Sequence, residues 1–425
     1  MNTLTAANIQ NMGKNLHVVM LPWSAFGHMM PFFQLSMALA KAKVHVSYIS
    51  TPKNIQRLPK ISPDLQPFIH LVSIPFPALT SGFLPEGAEA TVDIPFEKMD
   101  NLKLAYDLLQ QPIKQFIGDQ LPDWIIVDFS AHWAVEIGKE FGVPLVYFFV
   151  SCAATCVFFT SLENISKANT EEDHDVLPSP ESFTSPRDFG TFRSMIAYRK
   201  HEAVDMHAGF YELNDSGISD SDRHTKILSA CQAVAVRSCN EFEGEYLEAY
   251  KNKFGKLVIP TGLLPPEQPS AKREISSDGD ADALPPGFVE RTSEKGLVCL
   301  GWVAQMEILG HPSVGGSLFH SGWGSVIETL QFGHVLVVLP FIIDQPLNAR
   351  LLVEKDLAVE VKRTEEGSFC KDDIAKTLRH AMVADEGEKL RSNARKAAKV
   401  FGDHKLHQDH YIGQFVHYLK NNVTT

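Results

Sequence analysis

Short apolar runs alternate along this chain with stretches whose apolar positions repeat at helical spacing. Residues 16–22, 44–50, 124–129 and 145–149 read as buried strands, because Val, Ile, Leu and aromatic residues follow one another there with little polar alternation. A loop is expected at 23–28, and Pro31 suits the first turn of a helix running to about residue 41. A second helix is expected over about 132–141. Segment 164–225 is polar and in places rich in Pro, Ser and Asp, which predicts long loops with short helices. Residues 257–260 form the last strand-like run of the first half. Strands alternating with helices imply an α/β fold built on a parallel sheet covered on both faces.

Residues 263–280 are rich in Pro, Ser and Asp and read as a linker. Beyond them the alternation resumes, with strands expected at 296–300, 317–320, 335–340 and 358–361. Helices are expected over 325–332, stopped by Gly333, and over 348–355. From Lys371 onward the chain reads as helical, with dense Lys, Arg and Glu pairs. The organisation expected is therefore a first Rossmann-like domain at 1–262, a linker at 263–280, a second domain at 281–402, and a terminal helix at 403–425 packing back on the first.

Composition narrows the partners. Of 425 residues, 44% are hydrophobic and 21% charged, as in a globular protein with a large core. The net charge of −12 repels phosphate backbones and anionic lipid, so nucleic acid and membrane surfaces are not expected partners. An anionic ligand must then be met by local groups. The six cysteines form no CxxC pair and the first residues are polar, which fits a reducing, cytoplasmic setting. Residues 141–162 carry no charge and are long enough to span a bilayer, but Pro144 and the strand formers after it favour a buried strand and a core helix. His404, His407, His410 and His417 cluster without a further ligand set, so no metal site is expected. A monomer is expected.

Ligands of such sheets bind at the carboxyl ends of the strands. His28 follows the first strand and Asp128 follows the run 124–127, so both can lie at one sheet edge. A histidine held by a carboxylate is the arrangement a general base needs. The plain alternative is two unrelated polar residues at strand ends. In the second half, His320-Ser-Gly-Trp323-Gly324-Ser325 is a glycine-bearing strand-to-helix turn that offers backbone N–H groups to a phosphate. Trp302 offers a flat face for a base, Glu328 can accept from ribose hydroxyls, and Asp344 with Gln345 can read sugar hydroxyls. Alternatively Ser325 is a helix cap and Trp302 a core residue. A nicotinamide site is the rival functional reading, but the third glycine of GxGxxG is missing and no Walker lysine is present.

The stretch from Trp302 to Gln345 resembles the donor-binding signature of plant UDP-sugar-dependent glycosyltransferases of secondary metabolism, and the likeness extends over most of the chain, including Gly27-His28-Met-Met-Pro31. The resemblance implies a GT-B fold of two Rossmann-like domains facing across a cleft, a UDP-sugar donor, no metal or other cofactor, and inverting displacement at the anomeric carbon. It implies that His28 is the base and Asp128 its partner. It further implies that Trp302 stacks on uracil with Gln305 nearby, that His320, Trp323, Gly324 and Ser325 form the diphosphate turn, that Glu328 holds the ribose, and that Asp344 and Gln345 hold the sugar.

Two departures within the motif bear on specificity. The usual Trp-Ala-Pro-Gln is Trp302-Val-Ala304-Gln305, and the usual His-Cys-Gly-Trp-Asn-Ser carries Gly324 in place of asparagine, so a side-chain amide near the phosphate is lost. Both variants resemble the branch-forming group, which adds a sugar to a sugar on a flavonoid, saponin or terpenoid; glucose and rhamnose donors both fit. A third departure is larger. Between Pro260 and Gly296 the family opens its second domain with βα units, and here roughly 60 residues, about two such units, are absent. The alternatives to a working transferase are a nucleotide-sugar epimerase or oxidoreductase, and an inactive truncated isoform that binds without turnover.

Overall fold

In the computed structural model, which describes residues 16–77, 79, 82–169 (backbone only for 162–169), 178–189, 192–267, 284–299 and 303–423, each early apolar run becomes a strand of one parallel sheet. These are β1 (His17–Leu21), β2 (His45–Ser50), β3 (Ile69–Ser73), β4 (Trp124–Val127), β5 (Leu145–Phe149), β6 (Ala233–Val236) and β7 (Val258–Pro260), in the order β3-β2-β1-β4-β5-β6-β7. Side chains alternate across a strand, so each run feeds two cores. Val18, Met20, Trp124, Ile126, Val146 and Phe148 pack on one face, and Val19, Leu21, Ile125, Val127, Leu145 and Tyr147 on the other. β3 and β6 were not legible in the sequence. Half of β6 is alanine, and β3 is a partly exposed edge strand with a weak apolar signal.

Helices cover both faces. They include α1 (Phe26–Lys41), α2 (Ala134–Phe141), α3 (Ala153–Asn169), α4 (Lys200–Tyr211), α5 (Asp220–Ala230) and α6 (Asn240–Phe254). Helix α1 begins five residues before the proline expected in its first turn. The Ala25 carbonyl already accepts from the N–H groups of His28 and Met29, so the turn closes ahead of Pro31. The apolar run after Pro144 is β5 followed by α3, and no described helix is long and apolar enough to cross a membrane.

The second lobe holds β8 (Gly316–Phe319), β9 (Val335–Val338) and β10 (Ala358–Glu360), a parallel sheet in the order β10-β9-β8. Its helices are α7 (Trp323–Leu330), α8 (Gln345–Glu354), α9 (Lys371–Met382) and α10 (Glu388–Phe401). Helix α8 starts three residues earlier than expected, with Pro346 in its first turn, where a missing N–H costs nothing. The strand expected at 296–300 is not formed over 296–299, where Leu297 is 84% exposed; Leu300 lies outside the described residues. A strand needs a pairing partner, and β8 ends the described sheet with no strand beyond it. Leu318 accordingly stays 41% exposed although it stands opposite the fully buried Val337. The expected linker falls largely on 268–280, outside the described residues.

The chain ends in α11 (Gly413–Asn421), which lies against the first lobe: Ile412, Phe415 and Leu419 join the core formed by Val18, Trp124 and Phe148, and Trp124 Nε1 donates to the Leu419 carbonyl at 3.0 Å. His407 is buried and accepts from the Leu263 N–H through Nδ1 while Nε2 meets the Val400 carbonyl. That histidine therefore fastens the chain where it leaves the first lobe.

Candidate active site

The order of the first sheet reverses between β1 and β4, and this switch point opens a crevice at the strands' carboxyl ends. Leu21 pairs with Val127 there, and the Asp128 N–H donates to the Leu21 carbonyl at 3.1 Å, so β1 and β4 end level. The chain then delivers His28 from the first turn of α1 and Asp128 directly from β4. His28 Nδ1 and Asp128 Oδ2 are 2.8 Å apart. Asp128 is almost wholly buried and also accepts from the backbone N–H groups of Trp23 and Phe129, at 3.0 and 2.8 Å. A carboxylate only accepts, so Nδ1 carries the proton and Nε2 is left as the basic nitrogen.

The His28 side chain keeps 24% of its exposure. Burial works against its charged form, but the adjacent Asp128 carboxylate, then Asp344 and Asp220, outweigh that and hold its pKa above the ordinary 6.5. Asp344 belongs to the second lobe and accepts from Ser151, just beyond β5, so the lobes meet close to this point. Nearby, His224 contacts the Tyr147 hydroxyl at 2.7 Å and is pushed down to about 4 by burial, so it stays neutral. Its ring, Phe129 and Tyr147 form an aromatic wall beside His28.

In the second lobe, β8 leads through His320, Ser321 and Gly322 into α7. Ser321 adopts a left-handed backbone, φ 62°, uncommon for a residue with a side chain. Two contacts hold it: its hydroxyl donates to the Gln345 carbonyl at 2.8 Å, and Asn348 Nδ2 donates to its own carbonyl at 3.1 Å. A Cβ at residue 322 would come within 2.7 Å of the His320 ring and would make that exposed side chain move. His320 is exposed, Gly324 and Ser325 are partly exposed at the start of α7, and Glu328 stands one turn further on. Glu328 accepts from Gln305 Nε2 at 2.6 Å, which brings those two predicted residues together.

Trp323 lies in the turn with its side chain buried. Its Nε1 donates to the Arg237 carbonyl at 2.8 Å and its ring stacks on Phe242, so it fixes α7 to the first lobe. Trp302 lies outside the described residues. Asp344 accepts from Ser151 across the lobes at 2.6 Å and from Asn348 at 2.9 Å. Gln345 Oε1 accepts from the N–H groups of Phe341 and Ile342, which shapes the loop before α8. Further contacts join the lobes, from Tyr198 to the Ile343 carbonyl and from Arg350 to Glu202. Ser151, Ser321, Asn348 and Arg237 were missed from sequence because none is chemically distinctive until folding sets it at the cleft.

Two Rossmann-like lobes that meet at the carboxyl ends of the first sheet, where a carboxylate holds a histidine, have the architecture of the GT-B fold. Residues 281–407 match the family model described as UDP-glucoronosyl and UDP-glucosyl transferase. The chain is 35% identical to UDP-glycosyltransferase 91C1 of Arabidopsis thaliana, over 96% of this chain and 97% of that protein. It is 35% identical to soyasaponin III rhamnosyltransferase of Glycine max, over 98% of each. The chain belongs to the plant UDP-glycosyltransferase family. Its fold also matches Glycyrrhiza uralensis UGT73P12, solved with glycyrrhetinic acid 3-O-monoglucuronide, with a TM-score of 0.75, 19% identity and 96% of each chain covered. The two sequence alignments run over 458 and 474 positions against a chain of 425 residues, so both relatives carry segments that this chain lacks.

Proposed function

We propose that this protein transfers a hexose, glucose or rhamnose, from a UDP-sugar to a hydroxyl of a small-molecule glycoside, with inversion at the anomeric carbon. The observation that carries this reading is the His28–Asp128 pair at the switch point, its carboxylate buried, with Asp344 close by on the other lobe. His28 Nε2 removes the proton from the acceptor hydroxyl as its oxygen attacks the anomeric carbon. Asp128 steadies the imidazolium that results, and the bond to the nucleotide diphosphate breaks on the opposite side. His320, Gly324 and Ser325 hold the diphosphate, Glu328 with Gln305 the nucleoside, joined there by Trp302, and Asp344 with Gln345 the sugar. The acceptor lies along Phe129, Tyr147 and His224. Ala304 and Gly324 stand where the branch-forming group differs from its relatives, and the similarity to a saponin rhamnosyltransferase supports a sugar-bearing acceptor. The domain limits proposed are 1–262, 263–280, 281–402 and 403–425. Six cysteines without a CxxC pair fit a cytoplasmic setting, and the protein acts as a monomer without a metal.

A second reading has its own observation. The exposed Leu318 on β8, together with alignments longer than the chain, supports the absence of βα units from the second lobe. On that reading the protein binds ligands without turnover. One assay separates the two: UDP release from UDP-glucose or UDP-rhamnose in the presence of a panel of glycosides. Turnover that falls about 10²–10⁴-fold in His28→Ala supports the transferase. Binding of donor without release supports the inactive isoform, and equal rates in the variant dismiss His28 as base.

A further inference from the structure

The donor turn has no cation of its own. Residues 296–349, which include β8, the turn, α7 and the loop before α8, contain neither lysine nor arginine. Its asparagine amide is also missing, replaced by Gly324. A nucleoside diphosphate brings at least two negative charges, and on a protein of net charge −12 there is no general field to offset them.

The first lobe supplies a charge at this place. Arg237 follows β6 and is 1% exposed. Its Nε donates to the Leu263 carbonyl at 2.9 Å, and its Nη2 donates to Gln34 Oε1 at 2.7 Å and to the Leu264 carbonyl at 3.3 Å. Nη1 has no hydrogen-bond partner among the described residues. It lies 3.7 Å from the position a Cβ at residue 324 would take. A side chain at residue 324 would therefore begin in van der Waals contact with the guanidinium. Burial lowers the Arg237 pKa to about 10, which leaves it cationic at neutral pH, and the nearby Glu328 carboxylate favours that charge. Its main-chain carbonyl also receives the Trp323 indole N–H, so the arginine and the start of α7 are fixed to each other.

We propose that Arg237 is a donor-binding residue whose Nη1 hydrogen-bonds the nucleotide diphosphate through the opening left by Gly324, replacing the lost amide with a charge from the opposite lobe. This rests on the donor site described above. Because the cation comes from the first lobe, donor binding ties the two lobes together. The alternative role, a clamp on the Leu263 and Leu264 carbonyls alone, leaves Nη1 without a purpose.

Calorimetry with UDP and with uridine on the full chain tests this. The wild type is expected to bind UDP more tightly than uridine. Arg237→Gln is expected to lose about 10- to 100-fold in UDP affinity while uridine binding is unchanged, as for a lost charge-assisted bond. Arg237→Lys is expected to keep part of the preference. Gly324→Asn is expected to weaken UDP binding alone and to restore it in the Arg237→Gln background. An unchanged UDP-to-uridine ratio in an Arg237→Gln protein with native melting overturns the proposal. Should that variant not fold, Gly324→Asn with unaltered UDP affinity overturns it equally. A wild type with no preference for UDP over uridine overturns the donor site itself and Arg237 with it.

Discussion

His28 shows how a single side chain is tuned by what surrounds it. Its raised pKa means that protonation favours the folded state: the contribution is full below the unfolded value of 6.5 and is lost as pH rises through the higher folded value. Catalysis requires the opposite form, because only the neutral ring accepts a proton. The expected kcat/KM profile therefore rises with pH through a value above 6.5 and then levels. Replacing Asp128 by asparagine removes the charge that sustains this shift. In Asp128→Asn the acid limb is expected to move to lower pH, while the plateau rate falls because the tautomer is no longer fixed. A pH–rate profile of both proteins checks the two effects separately. At residue scale the sequence placed His28, Asp128 and Asp344 in the segments that follow strands, and Glu328 in the helix after the glycine-bearing turn. Trp323 stands in the turn as expected, and only the fold shows that its indole packs against Phe242. Arg237 was missed from sequence, because an arginine after a weak strand carries no signal until folding brings it to Gly324.

Among the elements, β8 is the one whose surroundings fit its sequence least. Leu318 and Val337 are register partners, yet one is substantially exposed and the other wholly buried. An edge strand with an uncovered apolar side chain is a site for unwanted pairing. Leu318→Lys is expected to change stability by no more than about 0.5 kcal/mol and to reduce self-association. Val337→Lys, which buries an unpaired charge, is expected to prevent folding. Chemical denaturation and light scattering distinguish these outcomes. Strand β8 itself was legible from 317–320, whereas the run at 296–300 carries the same apolar signal without forming a strand over its described residues. The difference lies in partnership: β9 lies beside β8, and among the described residues no strand pairs with 296–299.

Across the whole molecule, the terminal helix is what joins the end of the chain to its beginning. Phe415 and Leu419 are fully buried against residues of β1, β4 and β5, and Tyr418 packs beside Trp124 with ring centroids 5.7 Å apart. Phe415→Ala is expected to cost about 3–5 kcal/mol, read as a lower urea midpoint with unchanged slope. The second lobe is thereby anchored to the first through α11 and His407 as well as through the cleft contacts of Ser151, Glu202 and Tyr198.

Local pattern determined the strands β1, β2, β4, β5, β7, β8, β9 and β10, the parallel α/β class, and the glycine-bearing turn at 320–325, because apolar period and turn chemistry are properties of neighbouring residues. Tertiary structure alone decided that β1 and β4 end level at the switch point, that Asp344 reaches across to influence His28, that Trp323 turns inward, and that Arg237 stands behind Gly324. Each of these depends on residues far apart in the chain meeting in space, and sheet order and lobe packing, not local sequence, bring them together.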